Sequence, residues 1–160
     1  MATVDDVEDI VRILIATKVA SLPGLIDDHD RDIAFWTNRW RSYIQEGSRA
    51  QMATGDGFAV IAEVENAPVG FAAYHHTRRH DTQAELQSIY VRKEAQGSGI
   101  GTLLLRFIAT RLHDEGTTTM CVGYDPRNPY KRFYLKQGAI EISPHWAMWQ
   151  DVSRIIPESP

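Results

Sequence analysis

Gln96-Gly97-Ser98-Gly99-Ile100-Gly101 carries the plainest chemistry in this chain. Three glycines alternate with small or apolar residues between a β-prone run, Leu86 to Val91, and an amphipathic run opening at Thr102. Without a Cβ, glycine lets the backbone turn sharply and lets a ligand come close. A helix N-terminus offers unpaired N–H groups and the positive end of a dipole. Glycines at such a mouth make a site for phosphate oxygens. The dinucleotide fingerprint needs G-x-G-x-x-G, and the spacing here differs. The nucleotide P-loop needs Gly-Lys-Ser/Thr, and no lysine follows these glycines.

Gln96-x-x-Gly99-x-Gly101 resembles the acyl-CoA pyrophosphate loop of the GNAT N-acetyltransferase superfamily. Its neighbours strengthen the likeness. Glu85-Leu86-Gln87-Ser88-Ile89-Tyr90-Val91 resembles the strand before that loop, and the run Asn128 to Gly138, with Phe133-Tyr134 inside it, resembles the family's second cofactor-side helix. The resemblance implies an α/β fold, a mixed central sheet flanked by helices. It implies acetyl-CoA as co-substrate and a primary amine, of a small molecule or another accessible group, as acceptor. The alternative within the same fold is an acyl-CoA-binding or sensory module without turnover.

Acetyl transfer to an amine must hold the cofactor, polarise a carbonyl, take a proton from the ammonium and return one to the thiolate. By resemblance, backbone groups of Ile89, Tyr90 and Val91 pair with the pantetheine arm, beside a bulge that splays this strand from the next. Backbone N–H groups of Gln96, Gly97, Ser98, Gly99, Ile100, Gly101 and Thr102 then face the pyrophosphate. Gly123, in the following strand, suits a close approach. Asn128 is a candidate pantetheine ligand, although an N-cap role explains it without a ligand.

Tyr134 is the candidate general acid by the same resemblance. A phenol has a pKa of about 10, yet it can donate to a thiolate within hydrogen-bond reach. Packing is its competing role, because Tyr130, Phe133, Tyr134 and Gln137 share a helical face. Glu85 is the candidate base, acting through water with its pKa raised by burial. A solvated strand-end carboxylate is the competing reading. His75, His76 and His80 offer other bases. They lack the Cys pairs or H-E-x-x-H spacing of a metal site, so no metal is expected.

The elements must position these groups. Thr3-Val4-Asp5-Asp6 reads as a capping box, with Val7, Ile10, Val11 and Leu14 on one helical face. Pro23-Gly24 breaks that pattern. Ile33, Trp36, Trp40 and Tyr43 mark a second helix ending near Gly47. Its aromatics either cover the sheet or, with Asp27, Asp28 and Asp30, form an acceptor wall that attracts an amine. Residues 58–65 and 69–75 predict a hairpin with Asn66-Ala67-Pro68 as its turn. Residues 84–91 form the cofactor strand. Leu104, Phe107, Ile108 and Leu112 then define a helix stopped by Gly116, and residues 118–124 a strand parallel to the cofactor strand. Asn128 and Pro129 predict a helix start and Gly138 its end. Residues 139–143 and 146–152 predict two closing strands. Family members open with a strand before the first capping box, so here the first strand is expected to be short or missing.

The chain has 160 residues, 43% hydrophobic and 24% charged, with a formal charge of −4. These values predict one soluble domain over residues 1–156, with 157–160 frayed. The charge argues against a nucleic-acid partner. One cysteine excludes an internal disulfide framework. No run is apolar enough for a bilayer and no signal-peptide pattern opens the chain, so a cytoplasmic location without a membrane partner is expected. The oligomeric state stays open, a homodimer included.

Overall fold

In the computed structural model of the chain, residues 1–21 and 31–157 are described. Pro23-Gly24, Asp27, Asp28, Asp30 and residues 158–160 lie outside them. The described elements are helices α1 (Val7–Ser21), α2 (Ile33–Glu46), α3 (Ile100–Asp114) and α4 (Lys131–Lys136), with six strands. The strands are β1 (Ala53–Val64), β2 (Ala67–Thr77), β3 (Ala84–Val91), β4 (Met120–Gly123), β5 (Ile140–Ser143) and β6 (Trp146–Trp149). They form one mixed sheet in the order β1-β2-β3-β4-β6-β5. Only β3 and β4 are parallel, and α3 connects them.

Among the described residues no strand precedes α1. Its trace is a single bond, from the Ala2 N–H to the Ala59 carbonyl of β1 at 2.8 Å. Thr3 then caps the chain. Its N–H donates to Asp6 at 2.7 Å and its hydroxyl accepts from the Asp5 N–H at 3.3 Å. The capped residues, Val4–Asp6, form a 3-10 turn that feeds α1.

Alternation along the strands sends side chains to opposite faces, and each face has its own core. Phe71 and Ala73 of β2 and Ala59 of β1 meet α1 and α2 through Ile10, Ile13, Leu14 and Trp40. Ala72, Tyr74, Ala84 and Leu86 meet α3 through Leu104, Leu105, Ile108 and Leu112. Trp40 stands edge-on to Phe71 with centroids 5.1 Å apart, so this aromatic covers the sheet. Ile33 stays exposed.

Several boundaries differ from the sequence pattern. The hairpin turn is Glu65-Asn66, both with positive φ, and Pro68 lies inside β2. Two left-handed residues match the twist of the flanking strands in a two-residue loop. Phe107 is half exposed and stacks on Phe58, while Leu105 takes the core position. Asn128 does not cap α4. Its Oδ1 accepts from the Tyr130 N–H at 2.9 Å in a local turn, and the helix starts at Lys131. β6 stops at Trp149, and Val152–Ile155 turns into a 3-10 segment whose Val152 and Ile155 close the α3 core.

Candidate active site

The site begins with a break in pairing. Across β2 and β3, Ala73 faces Ser88 and Tyr74 faces Leu86, which leaves Gln87 as an extra residue. Such a bulge bends and twists its strand. β3 pairs with β4 only from Ala84–Leu86 to Met120–Val122, and past Gln87 the two strands separate. The gap is a cleft of about 620 Å³, within the roughly 300–1,000 Å³ of small-molecule sites.

One wall is β3 from Leu86 to Val91. The Arg92 N–H bonds to the Val69 carbonyl of β2 at 2.8 Å. Successive residues aim their backbone groups to opposite sides. Ile89 and Val91 therefore present theirs to the cleft, and Tyr90 pairs toward β2. This corrects the backbone role for Tyr90. It still lines the cleft, and its ring packs near Phe71 with centroids 5.5 Å apart. The Val91 carbonyl is already engaged, accepting from Gln96 Nε2 at 2.9 Å.

The glycine loop closes one end. Gly97 and Gly99 have φ of 78° and 89°, and a Cβ at either would meet open space within 4 Å. Gly99 is the N-cap of α3. The Leu103 N–H is bonded back to the Gly99 carbonyl at 2.9 Å. Ahead of it, the N–H groups of Ile100, Gly101 and Thr102 have no partner in their own helix, as the first turn of any helix dictates. Gln96, Gly97, Gly99, Gly101 and Thr102 line the cleft. Ser98 and Ile100 do not; Ser98 Oγ donates to the Ala95 carbonyl at 2.5 Å and Ile100 packs against the core. An anion would therefore meet these two through their backbone.

Val122, Gly123 and Tyr124 of the β4 side, with Asn128, Phe133 and Tyr134, form the opposite wall. Tyr134 is 9% exposed. Its ring stacks on Tyr124 at 6.0 Å and meets Trp149 edge-on at 6.2 Å. Its hydroxyl has no hydrogen-bond partner among the described residues, and burial pushes the phenol above its ordinary pKa, with Tyr90 and Tyr124 adding to the shift. Tyr134 thus keeps its proton at neutral pH. Tyr130, read from sequence only as part of a helical face, donates from its hydroxyl to Gln96 Oε1 at 2.9 Å. Gln96 thereby ties the glycine loop to both walls.

Gly123 is small for another reason than a ligand. A Cβ there would lie 2.9 Å from the Trp146 ring. Arg79 sits over the same ring at 4.7 Å and His80 meets it edge-on at 4.8 Å.

Glu85 is not on the cleft wall. It faces the α1–α2 side of the sheet, opposite His75. Burial raises its pKa, but the His75 imidazole and the Arg79 guanidinium outweigh that and hold the carboxyl below its ordinary value. This corrects the raised pKa expected from sequence. Arg79 Nε donates to Glu85 Oε2 at 3.0 Å, and His75 Nε2 lies 3.5 Å from the same oxygen. His75 is fully buried and neither ring nitrogen has a hydrogen bond. His76 lies on the other face, 3.5 Å from Glu115. Among the described residues no group of three or more His, Cys, Asp or Glu side chains is placed to hold a metal ion, and no helix is long and apolar enough to cross a membrane.

A second cavity, of about 380 Å³, lies along α2 and the segment after it. Gln87 lines both cavities. The resemblance implied a bulge in this strand, but no sequence signal placed it at Gln87, because a bulge is a property of register between two strands.

A splayed parallel pair, a glycine loop at a helix mouth and a buried tyrosine opposite thus share one cleft. The family model described as Acetyltransferase (GNAT) family matches residues 24–139, and the chain belongs to that family. Comparison with curated proteins finds no match. Solved structures share the fold. The PaiA N-acetyltransferase from Thermoplasma acidophilum, in complex with coenzyme A, is similar with a TM-score of 0.74 at 15% identity, over 92% of this chain and 93% of that one. An aminoglycoside 6'-acetyltransferase type Ii is similar with a TM-score of 0.63 at 19% identity, over 94% and 93%. A ribosomal-protein-alanine N-acetyltransferase from Brucella melitensis is similar with a TM-score of 0.61 at 21% identity, over 92% and 96%.

Proposed function

We propose that this chain transfers an acetyl group from acetyl-CoA directly to a primary amine. The observation that carries the reading is the cleft itself, open along β3 past Gln87 and ending on the unpaired N–H groups of the α3 mouth. Coenzyme A in the solved PaiA complex, a protein of the same fold, supports acetyl-CoA as the donor.

The backbone N–H groups from Gln96 to Thr102 hold the pyrophosphate. Two of the residues lack a Cβ where space must stay open, and the helix mouth favours negative charge. Ile89 offers the pantetheine amides its N–H and carbonyl and Val91 its N–H, the Val91 carbonyl being held by Gln96, while Asn128 borders the same path. Tyr134 supplies a proton. As the amine nitrogen bonds to the thioester carbon and the carbon–sulfur bond breaks, the electron pair leaves on sulfur and Tyr134 protonates it. The phenolate regains a proton from solvent. Glu85 takes the proton lost by the ammonium through water. Held ionised by His75 and Arg79, it is a ready acceptor but a weak base, so water shares the load.

Thiol release from acetyl-CoA over an amine panel, with acetyl-CoA affinity measured by calorimetry, tests the reading. Turnover with at least one amine is expected. Acetyl-CoA binding without thiol release would return the chain to a binding module, and no acetyl-CoA binding would remove the cleft from consideration as a donor site.

A further inference from the structure

The second cavity is built for negative charge. Its described wall includes Arg39 and Arg49 and no aspartate or glutamate. Arg49 pairs with Glu46. Arg39 has no ion pair among the described residues; its guanidinium lies 5.6 Å from the Trp36 ring centroid, a weak hold that leaves its N–H fork available. Trp40 lines the same cavity, is 4% exposed, and its indole N–H has no hydrogen-bond partner. A buried donor without an acceptor costs free energy until one arrives. Asn38 and Gln87 add further amide donors to the wall.

The two cavities meet at one residue. Gln87 is the bulge that opens the cleft, and it also borders the second cavity. Tyr43 and Trp40 place that cavity on the α1–α2 face, the face to which Glu85 also turns. An acceptor lying there has its reacting end toward the Gln87 bulge and its other end among arginine and indole donors. A second ammonium at that end would face the Arg39 guanidinium, and the nearby Glu46 carboxylate is already held by Arg49 and Ser42.

We propose that the acceptor is an amine bearing an oxyanion, a carboxylate or a phosphate, and that Arg39 holds the anionic end in this second cavity. The inference rests on the acetyl-transfer reading and narrows its acceptor. The guanidinium fork matches either oxyanion through two parallel N–H···O bonds, so the chemistry is shared and the source is decided by assay.

The test uses the full chain, acetyl-CoA and matched amines. Glycine is set against glycinamide, γ-aminobutyrate against butylamine and putrescine, and O-phosphoethanolamine against ethanolamine. At least one anionic amine should exceed its neutral match in kcat/KM by about tenfold or more, the scale of one charge-assisted contact. Whether a carboxylate or the phosphate shows the larger ratio identifies the oxyanion. Arg39→Gln, an exposed position whose change should leave the circular dichroism intact, should erase the ratio without altering acetyl-CoA affinity. Preference for the neutral or dicationic amines, or a ratio that survives Arg39→Gln, overturns the inference and leaves acetyl transfer standing. Acetyl-CoA binding with no amine turned over overturns both.

Discussion

Arg79 Nε donates to Glu85 Oε2 across 3.0 Å, and the same guanidinium donates to the Gln51 carbonyl at 2.8 Å and covers the Trp146 ring. One side chain thus ties the β2–β3 connection to the start of β3 and to β6. With His75, it also holds down the pKa of the carboxylate proposed to take the acceptor proton.

Removing that guanidinium should show a specific pH dependence. A depressed carboxyl contributes stability above its unfolded pKa, near the ordinary 4.5, and loses it as pH falls through the folded value. Arg79→Met should therefore cost about 1–3 kcal/mol at pH 7, the scale of a charge-assisted hydrogen bond in a partly buried place. The cost should shrink in acid once Glu85 is protonated in both folded and unfolded chains. Denaturant melts from pH 7 to pH 3 measure it. A cost that does not vary over that range would mean that the guanidinium acts through Gln51 and Trp146 alone.

The kinetic counterpart lies in Glu85. If this carboxylate accepts the acceptor proton, Glu85→Gln should lower turnover at neutral pH and remove the acidic limb of the rate profile. In the wild type that limb should fall below the ordinary glutamate range, because the carboxyl is held down rather than raised. Steady-state rates against pH decide it, and a Glu85→Gln profile matching wild type would assign the proton to His75, His76, His80 or water.

Tyr134→Phe isolates one oxygen. The hydroxyl makes no hydrogen bond among the described residues, so stability should change by less than about 1 kcal/mol, the worth of one ordinary hydrogen bond. If Tyr134 protonates the thiolate, kcat should fall by at least about tenfold with acetyl-CoA affinity unchanged. Saturating kinetics on a confirmed acceptor give the answer. A kcat within about twofold of wild type, with chemistry rate-limiting, would leave Tyr134 as a packing residue.

The glycines of the loop should separate. Gly99 has φ of 89°, where a β-branched side chain is strained, so Gly99→Val should cost about 1–3 kcal/mol and weaken acetyl-CoA binding strongly. At Gly101 a Cβ would sit 3.5 Å from the Phe133 ring, an ordinary contact at a helical position. Gly101→Ala should therefore fold at least as stably as wild type, since alanine favours helix by about 0.5–1 kcal/mol. Calorimetry should still show weaker acetyl-CoA binding if the first turn of α3 holds the pyrophosphate. Undiminished affinity in both variants would remove the loop from the donor site.

Local chemistry made much of this legible in the chain itself. The glycine loop, the capping box at Thr3, the β3 limits at Ala84 and Val91, and the parallel strand after α3 follow from backbone permissiveness, side-chain capping and hydrophobic period. These act over a few residues, so the sequence carries them whole, and with them the resemblance that makes Tyr134 the candidate acid. Only the tertiary structure decided the rest. Asn128 stands ahead of the helix, its side chain accepting from the Tyr130 amide in a turn that delays the first helical residue to Lys131. Gln87 became the hinge of the site through a register shift against β2, which no spacing within β3 records. Glu85 met Arg79 and His75, so its charge was set by partners from another strand and a turn. A proton affinity depends on the charges and burial around a group, and those exist only after strands pair and side chains meet in space.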